Sequence, residues 1–320
     1  MRPIPHREQG AALINVLVLV GVLSALSTTL FDRMRLARHL DAARSVQDQA
    51  RAGALAAETL LLASVADPLP STPITLATPA GPATATATAT ATLAPGGNCF
   101  NLNSVAMGPP GRTITRPLGV EQLAGLLTLL DVPQDEARRV AAATADWIDI
   151  DSQPGPGGAE DPAYARAATP YRTGGTLLAD VSEWRAVAGV TPAIYARARP
   201  YLCALPETEL SQPNINSLAP AGAPVLAAIA GLDVATARIA IAARPATGWA
   251  SASDFWSQPL LSGRNVAADV LRQPETRDRF IAFRLAAGTG DLPFIETGLI
   301  AAGAGDRQAR LLVRRWGEAE

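Results

Sequence analysis

The chain has 320 residues, 27 basic and 29 acidic side chains, two cysteines and two histidines, and a net charge of −2. So even a balance argues against a basic nucleic-acid-binding domain, and so few Cys and His leave little from which to build a zinc site or a Ser-His-Asp triad. The length allows two or three domains, and the 48% hydrophobic content is raised by one long apolar run and by abundant alanine.

That run, Ala11 to Phe31, carries no charge. As a helix it would span roughly 30 Å, the thickness of a bilayer's hydrocarbon core. Arg2, His6 and Arg7 precede it, so the short tail is expected to stay cytoplasmic and the rest to cross outward. Behind the run, Asp32-Arg33-Met34-Arg35-Leu36 continues as helix and offers no secretory cleavage signature. A small residue instead stands in front: Gly10, after Arg7-Glu8-Gln9 and before Ala11-Ala12-Leu13-Ile14. This resembles the leader of type IV prepilins and type II secretion pseudopilins, cut between Gly10 and Ala11 with the helix left in place. A plain signal anchor is the alternative.

From Asp32 to Ala66, Leu36, Leu40, Ala43, Val46, Ala50, Leu55, Leu60 and Leu61 recur at helical intervals, which predicts an amphipathic stalk. Asp67-Pro68-Leu69-Pro70 ends it. Residues 72 to 94 alternate Ala and Thr, a period compatible with a β-hairpin or with a weakly ordered tether. An internal echo follows, in which Asn101-Leu102-Asn103-Ser104-Val105-Ala106 matches Asn214-Ile215-Asn216-Ser217-Leu218-Ala219. Each copy is expected to open a helical module. Helices are predicted at Val120–Leu130, Pro133–Ile148 and Val181–Ala188 in the first, and at Pro224–Ile229, Val234–Ala243 and Ser253–Ser257 in the second. Beyond Pro274, Arg279–Leu285, Phe294–Ile300 and Arg310–Trp316 read as a three-stranded meander broken by Gly-rich turns, with the stalk as its natural cover.

The first module carries Cys99-Phe100-Asn101-Leu102-Asn103, Asp146-Trp147-Ile148-Asp149-Ile150-Asp151, Pro156-Gly157-Gly158-Ala159-Glu160-Asp161, Pro170-Tyr171-Arg172 and Val181-Ser182-Glu183-Trp184. Behind a prepilin-like leader, these phrases resemble the type II secretion system protein K family, the large minor pseudopilins, along nearly the whole chain. The resemblance implies an inner-membrane protein with its body in the periplasm and no enzymatic activity. It implies a place at the pseudopilus tip, where assembly and export begin, with minor pseudopilins I and J, the major pseudopilin and the prepilin peptidase as partners. The chain departs from major pseudopilins at Asn15, the fifth mature residue, where those carry Glu.

The fold expected is α+β: a transmembrane helix (11–67 with its stalk, after a 1–10 leader), first strands or tether (68–98), and closing strands of a small antiparallel sheet (276–320). Between them stand two SAM-like or helix-hairpin-helix-like modules (99–206 and 207–275). Asp149, Asp151, Glu160 and Asp161 crowd a Pro/Gly-rich loop without a base, which is either a solvated acidic loop or a donor set for a hard cation such as calcium; the resemblance implies calcium. Pro154 stands where an EF-hand needs Gly. Cys99 and Cys203 are either a disulfide, which an oxidising compartment permits, or two buried thiols. Two rival functions are a DNA-binding hairpin around Gly231-Leu232-Asp233, with Gly189-Val190-Thr191 as a first copy, and a hydrolase built on Asp149 and Glu160.

Overall fold

The structure, a computed structural model, describes residues 6–65, 69–79, 86–109, 111–288, 293–303 and 308–318. Helix α1 (His6–Ser64) runs without interruption from the leader through the apolar segment into the stalk. Among the described residues it alone is, as a single helix, long and apolar enough to cross a membrane. Ser27, Thr28 and Thr29 sit in that segment, and their hydroxyls donate to the carbonyls of Leu23, Ala25 and Leu26, so none enters the apolar stretch unbonded. Leu36, Leu40 and Val46 of the expected stripe are exposed, and full burial begins only with Ala54, Ala57 and Leu61.

Two compact units are distinguished, one of Met1–Thr59, Thr75–Thr90 and Leu285–Ile295, the other of Leu60–Ile74, Ala91–Arg284 and Glu296–Glu320. The Ala/Thr stretch does form strands, β1 (Ile74–Pro79) and β2 (Thr86–Pro95). The alternation at Ala83-Thr84-Ala85 lies outside the described residues.

The second unit carries the helical modules. After β3 (Phe100–Asn101), a 3-10 turn over Leu102–Val105 leads to β4 (Ala106–Met107) and β5 (Ile114–Thr115), an antiparallel pair. Then come α2 (Pro117–Leu129), α3 (Gln134–Ile148), the short α4 (Asp161–Tyr164), a 3-10 helix over Val181–Ala186, α5 (Pro192–Ala198) and β6 (Leu202–Cys203). Strand β6 returns parallel to β3. The second module holds α6 (Ala223–Ala230), α7 (Val234–Ala242), α8 (Ala252–Trp256) and α9 (Ala268–Leu271). It closes with a parallel bridge of Asn214 to Glu275. Strands β7 (Phe280–Ala287), β8 (Phe294–Ala301) and β9 (Arg310–Trp316) finish a five-stranded sheet of order β1-β2-β7-β8-β9. Because β2 neighbours β7, both modules are an insertion between adjacent strands of one sheet.

The sequence echo is a shared hydrogen-bond scheme. Asn101 Oδ1 accepts from Asn103 N (3.2 Å), and Asn214 Oδ1 accepts from Asn216 N (2.8 Å). Asn103 then clasps Leu178 at both backbone groups, donating to its carbonyl (2.9 Å) and accepting from its N–H (2.8 Å), while also donating to Leu205 O (2.8 Å). Asn216 does the same with Trp249 (3.0 and 2.7 Å) and Thr276 O (3.1 Å). Each amide thus satisfies three distant backbone groups that burial would otherwise leave unpaired.

The helix pairs match too. Val132 N bonds Leu127 O (3.0 Å) past Asp131 at φ 61°, and Leu232 N bonds Ala227 O (2.9 Å) past Gly231 at φ 64°. The counterpart of the Gly231 hairpin is therefore Asp131-Val132-Pro133, a correction to the pairing with Gly189. Glycine is the usual left-handed residue, but Asp also tolerates that conformation. Val181–Ala188 is corrected to a 3-10 helix ending at Ala186. Its Trp184 is fully buried, as is Phe255 in α8 of the other module.

Candidate metal centre

Acids in its first turn, Asp135 and Glu136, favour the N-terminal end of α3, and a buried face of Val140, Ala141, Ala145 and Ile148 anchors it. It stops at Ile148, after which Asp149 is extended (φ −73°, ψ 170°) and leaves the helix axis. Strand β5 backs this point: Thr113 Oγ1 donates to Ile148 O (2.9 Å), Ile150 N donates to Thr113 O (3.2 Å), and Thr115 Oγ1 donates to Asp149 Oδ2 (2.8 Å). Asp149 is buried, and its other oxygen, Oδ1, has no partner.

The loop returns through Asp151, whose Oδ1 accepts from Gln153 N (2.8 Å), and through Gly155, whose N–H donates to both oxygens of Asp146 (3.1 and 3.2 Å). Gly158 is needed where it stands, since a Cβ there would lie 1.9 Å from Asp146 Oδ2. Buried Glu160 then points inward, with Oε1 unpartnered. Carboxylate oxygens of Asp149, Asp151 and Glu160 lie within 4.8 Å of one another.

The electrostatics record the crowding. Burial raises the Asp149 carboxyl, and the charges of Asp151 and Asp146 add to it. Burial likewise pushes Glu160 up to about 7, reinforced by Asp146 and Asp149. Asp146 is raised by burial, against backbone hydrogen bonds from Gly155 and Ala159. Two buried oxygens without partners, aimed into a cluster of like charges, are what a hard divalent cation would satisfy.

Asp161 does not join them. Its Oδ1 accepts from Thr173 N (2.9 Å) and Thr173 Oγ1 (3.0 Å), and Arg172 stands 3.9 Å from Oδ2. These bonds hold its carboxyl below the usual range. Beside the cluster stand instead Asp146, whose charge presses on Asp149 and Glu160, and Thr115, which bonds Asp149. Asp146 stands in the last turn of α3, three residues before Asp149, a readable signal; Thr115 had none.

Cys99 and Cys203 are bonded, joining the residue before β3 to the last residue of β6 at a Cα separation of 5.7 Å. Gly10, Ala11 and Asn15 all lie within α1. Asp233, in the hairpin considered for DNA, accepts from Thr236 N (2.8 Å) and Thr236 Oγ1 (2.6 Å), which places a carboxylate where a phosphate would have to sit.

The family description "Type II secretion system (T2SS), protein K" matches residues 98–207 and 213–273, the two stretches that hold the asparagine clamps. The type II secretion system protein K of Klebsiella pneumoniae is 36% identical over 286 residues, 87% of each chain. That of Pectobacterium carotovorum subsp. carotovorum is 30% identical over 318 residues, 92% of each. A chain in the crystal structure of the GspK-GspI-GspJ complex from the enterotoxigenic Escherichia coli type 2 secretion system superposes with a TM-score of 0.67 at 27% identity, covering 89% of this chain and 100% of that one. With the inserted clamp modules, the apolar first helix and relatives matched along most of their length, this chain belongs to the type II secretion system protein K family.

Proposed function

We propose that the chain is a minor pseudopilin that caps the periplasmic pseudopilus and helps to start its assembly, in contact with minor pseudopilins I and J and the major pseudopilin. The observation that carries this reading is the likeness, over 89% of the chain, to a chain in the GspK-GspI-GspJ complex. Prepilin peptidase would cut between Gly10 and Ala11, and α1 would hold the mature protein in the inner membrane. Asn15 fits a leading position: a carboxylate within the apolar part of a membrane helix is costly unless paired, and a subunit with none ahead has no partner for it.

Within this reading Asp149, Asp151 and Glu160 would hold calcium, with Asp146 as a charge behind them. The ion would neutralise the loop and fix its path. The chain's own role there is to bring the three carboxylates together through the end of α3, the Thr115 bond and the turn at Gly155. Co-purification of the full chain with the I and J subunits of the same secretion system tests the assembly role. A stable complex is expected, and recovery of each protein alone would overturn it.

A further inference from the structure

The last strand does not end the folded chain. Gly317, at φ 106°, turns the backbone out of β9, a conformation that side-chain-bearing residues rarely adopt. Thr297 Oγ1 of β8 donates to Gly317 O (3.3 Å). Glu318 then meets the side chain of Arg284 of β7: Arg284 Nε donates to Glu318 Oε2 (2.8 Å) and Nη2 to Oε1 (2.5 Å). This bidentate clasp lies along a cleft of about 530 Å³ lined by the sheet and the first module, with an apolar floor that includes Leu205, Phe283, Leu299 and Val313. Arg199, Arg284 and Arg315 line the same cleft, against the acids Asp180 and Glu318. Arg315 is committed to Asp180 (2.6 Å) and to Ala179 O (3.2 Å).

We propose that Gly317-Glu318 is a strap that occupies one arginine of this cleft with its own glutamate, and that the cleft takes an extended acidic segment of a partner protein when the strap lifts. The charge argues for that occupant. With Glu318 in place the lining holds three guanidinium groups and two carboxylates, and with Glu318 removed one carboxylate faces the three. A bidentate Arg–carboxylate pair is how such a groove reads an acidic side chain, and Glu318 already shows the geometry. The apolar floor offers burial to apolar side chains interspersed along such a segment. The clasp is also releasable. The side chains of Arg284 and Glu318 are 42% and 61% exposed, and ion pairs so placed hold weakly.

The test uses the full chain in detergent and a fluorescein-labelled eight-residue peptide alternating Glu and Leu, followed by fluorescence anisotropy. Glu318→Gln frees Arg284 and is expected to tighten binding about two- to fivefold, the range an exposed ion pair can withhold. Arg284→Gln and, away from the sheet, Arg199→Gln are each expected to weaken it, with thermal melts showing that both variants fold. A Lys/Leu peptide of the same length is expected not to bind. No binding to wild type or Glu318→Gln, equal affinity of those two, unchanged binding in both arginine variants, or equal binding of the Lys/Leu peptide would each overturn the proposal.

Discussion

The two helical modules share one frame and differ in what has been added to it. In both, an asparagine ties the turn that opens the module to a segment before its short second-half helix and to the segment that closes the module. The closing leg is the same length in each, from Leu178 to Leu205 and from Trp249 to Thr276. The opening leg is 75 residues long in the first module and 33 in the second. The surplus is the β4–β5 pair and the stretch from Asp149 through α4, which together build the acidic cluster. The disulfide is also an addition: Cys203 precedes Ala204 and Leu205 just as Pro274 precedes Glu275 and Thr276, so the second module has no thiol there. The clamp is therefore a folding device common to both, and the acidic cluster and the covalent tie belong to the module whose longer leg would otherwise be the harder to close.

The largest break in this comparison should come from the disulfide. It spans a sequence separation of 104, and on the chain-entropy model a loop of that order is stabilised by about 4 to 5 kcal/mol. Replacing both Cys99 and Cys203 by Ser should cost close to that amount in chemical denaturation. The loss should fall on the first module, seen as hydrogen-exchange protection lost there and kept in the second. Uniform loss across both modules would mean that they fold as one.

Next come the clamps themselves. Asn103→Ala strands three backbone groups, and with Asn103 fully buried the cost should be roughly 3–4 kcal/mol. Asn216, only partly buried, should cost about 2–3 kcal/mol in the same substitution, since water can reach what is left unpaired. Asn103→Asp keeps the acceptor for Leu178 N and loses both donors, so it should not rescue. If the order of the two asparagines were reversed in urea titrations, the equivalence of the frames would be wrong.

This frame was legible in the sequence because Asn-x-Asn-Ser is rare enough to be noticed twice, and the apolar runs of β7 to β9, broken by Gly-rich turns, were equally plain. The site was only half legible, for a geometric reason. Glu160 and Asp161 are neighbours, but the backbone at Glu160 is extended (φ −113°, ψ 179°), and extended residues send consecutive side chains to opposite sides. Glu160 therefore faces Asp149 while Asp161 faces Thr173. The contact from Thr115 spans 34 residues and leaves no local pattern. A search for glycine likewise missed the first hairpin, because Asp131 occupies the left-handed position there.

The added site can be separated from the shared frame by calcium. A ligand bound only by the folded state stabilises by RT ln(1 + [L]/Kd), about 2.7 kcal/mol at a hundredfold excess over Kd. Chelation should therefore lower the melting temperature of the wild-type chain. In Asp149→Ala/Asp151→Ala the difference between chelator and calcium should vanish, with both Asn clamps intact. Equal melting of the wild type in chelator and calcium would remove the metal from the site and leave the loop a solvated acidic turn.

The smallest effect, and the one most specific to the cluster, is in the pH dependence without metal. Glu160 titrates at about 7 in the folded chain against 4.5 when unperturbed, and Asp146 and Asp149 shift in the same direction. A folded state that holds protons more tightly than the unfolded one is favoured below the unfolded pKa and loses that advantage as pH rises through the folded value. In chelator the chain should thus become less stable between pH 5 and pH 7, against the usual trend of carboxylates released by acid. Asp161 and Asp233, held down by bonds from Thr173 and Thr236, act the other way only below their ordinary value of 3.8, outside that window. Calcium needs the ionised carboxylates, so its stabilisation should grow across the same interval and flatten or reverse the slope. Glu160→Gln should weaken the slope in chelator and reduce the calcium response at pH 7 and above. Melting curves at pH 5, 6 and 7, with and without calcium, decide it: parallel lines in the two media would show that proton and metal do not compete for these oxygens.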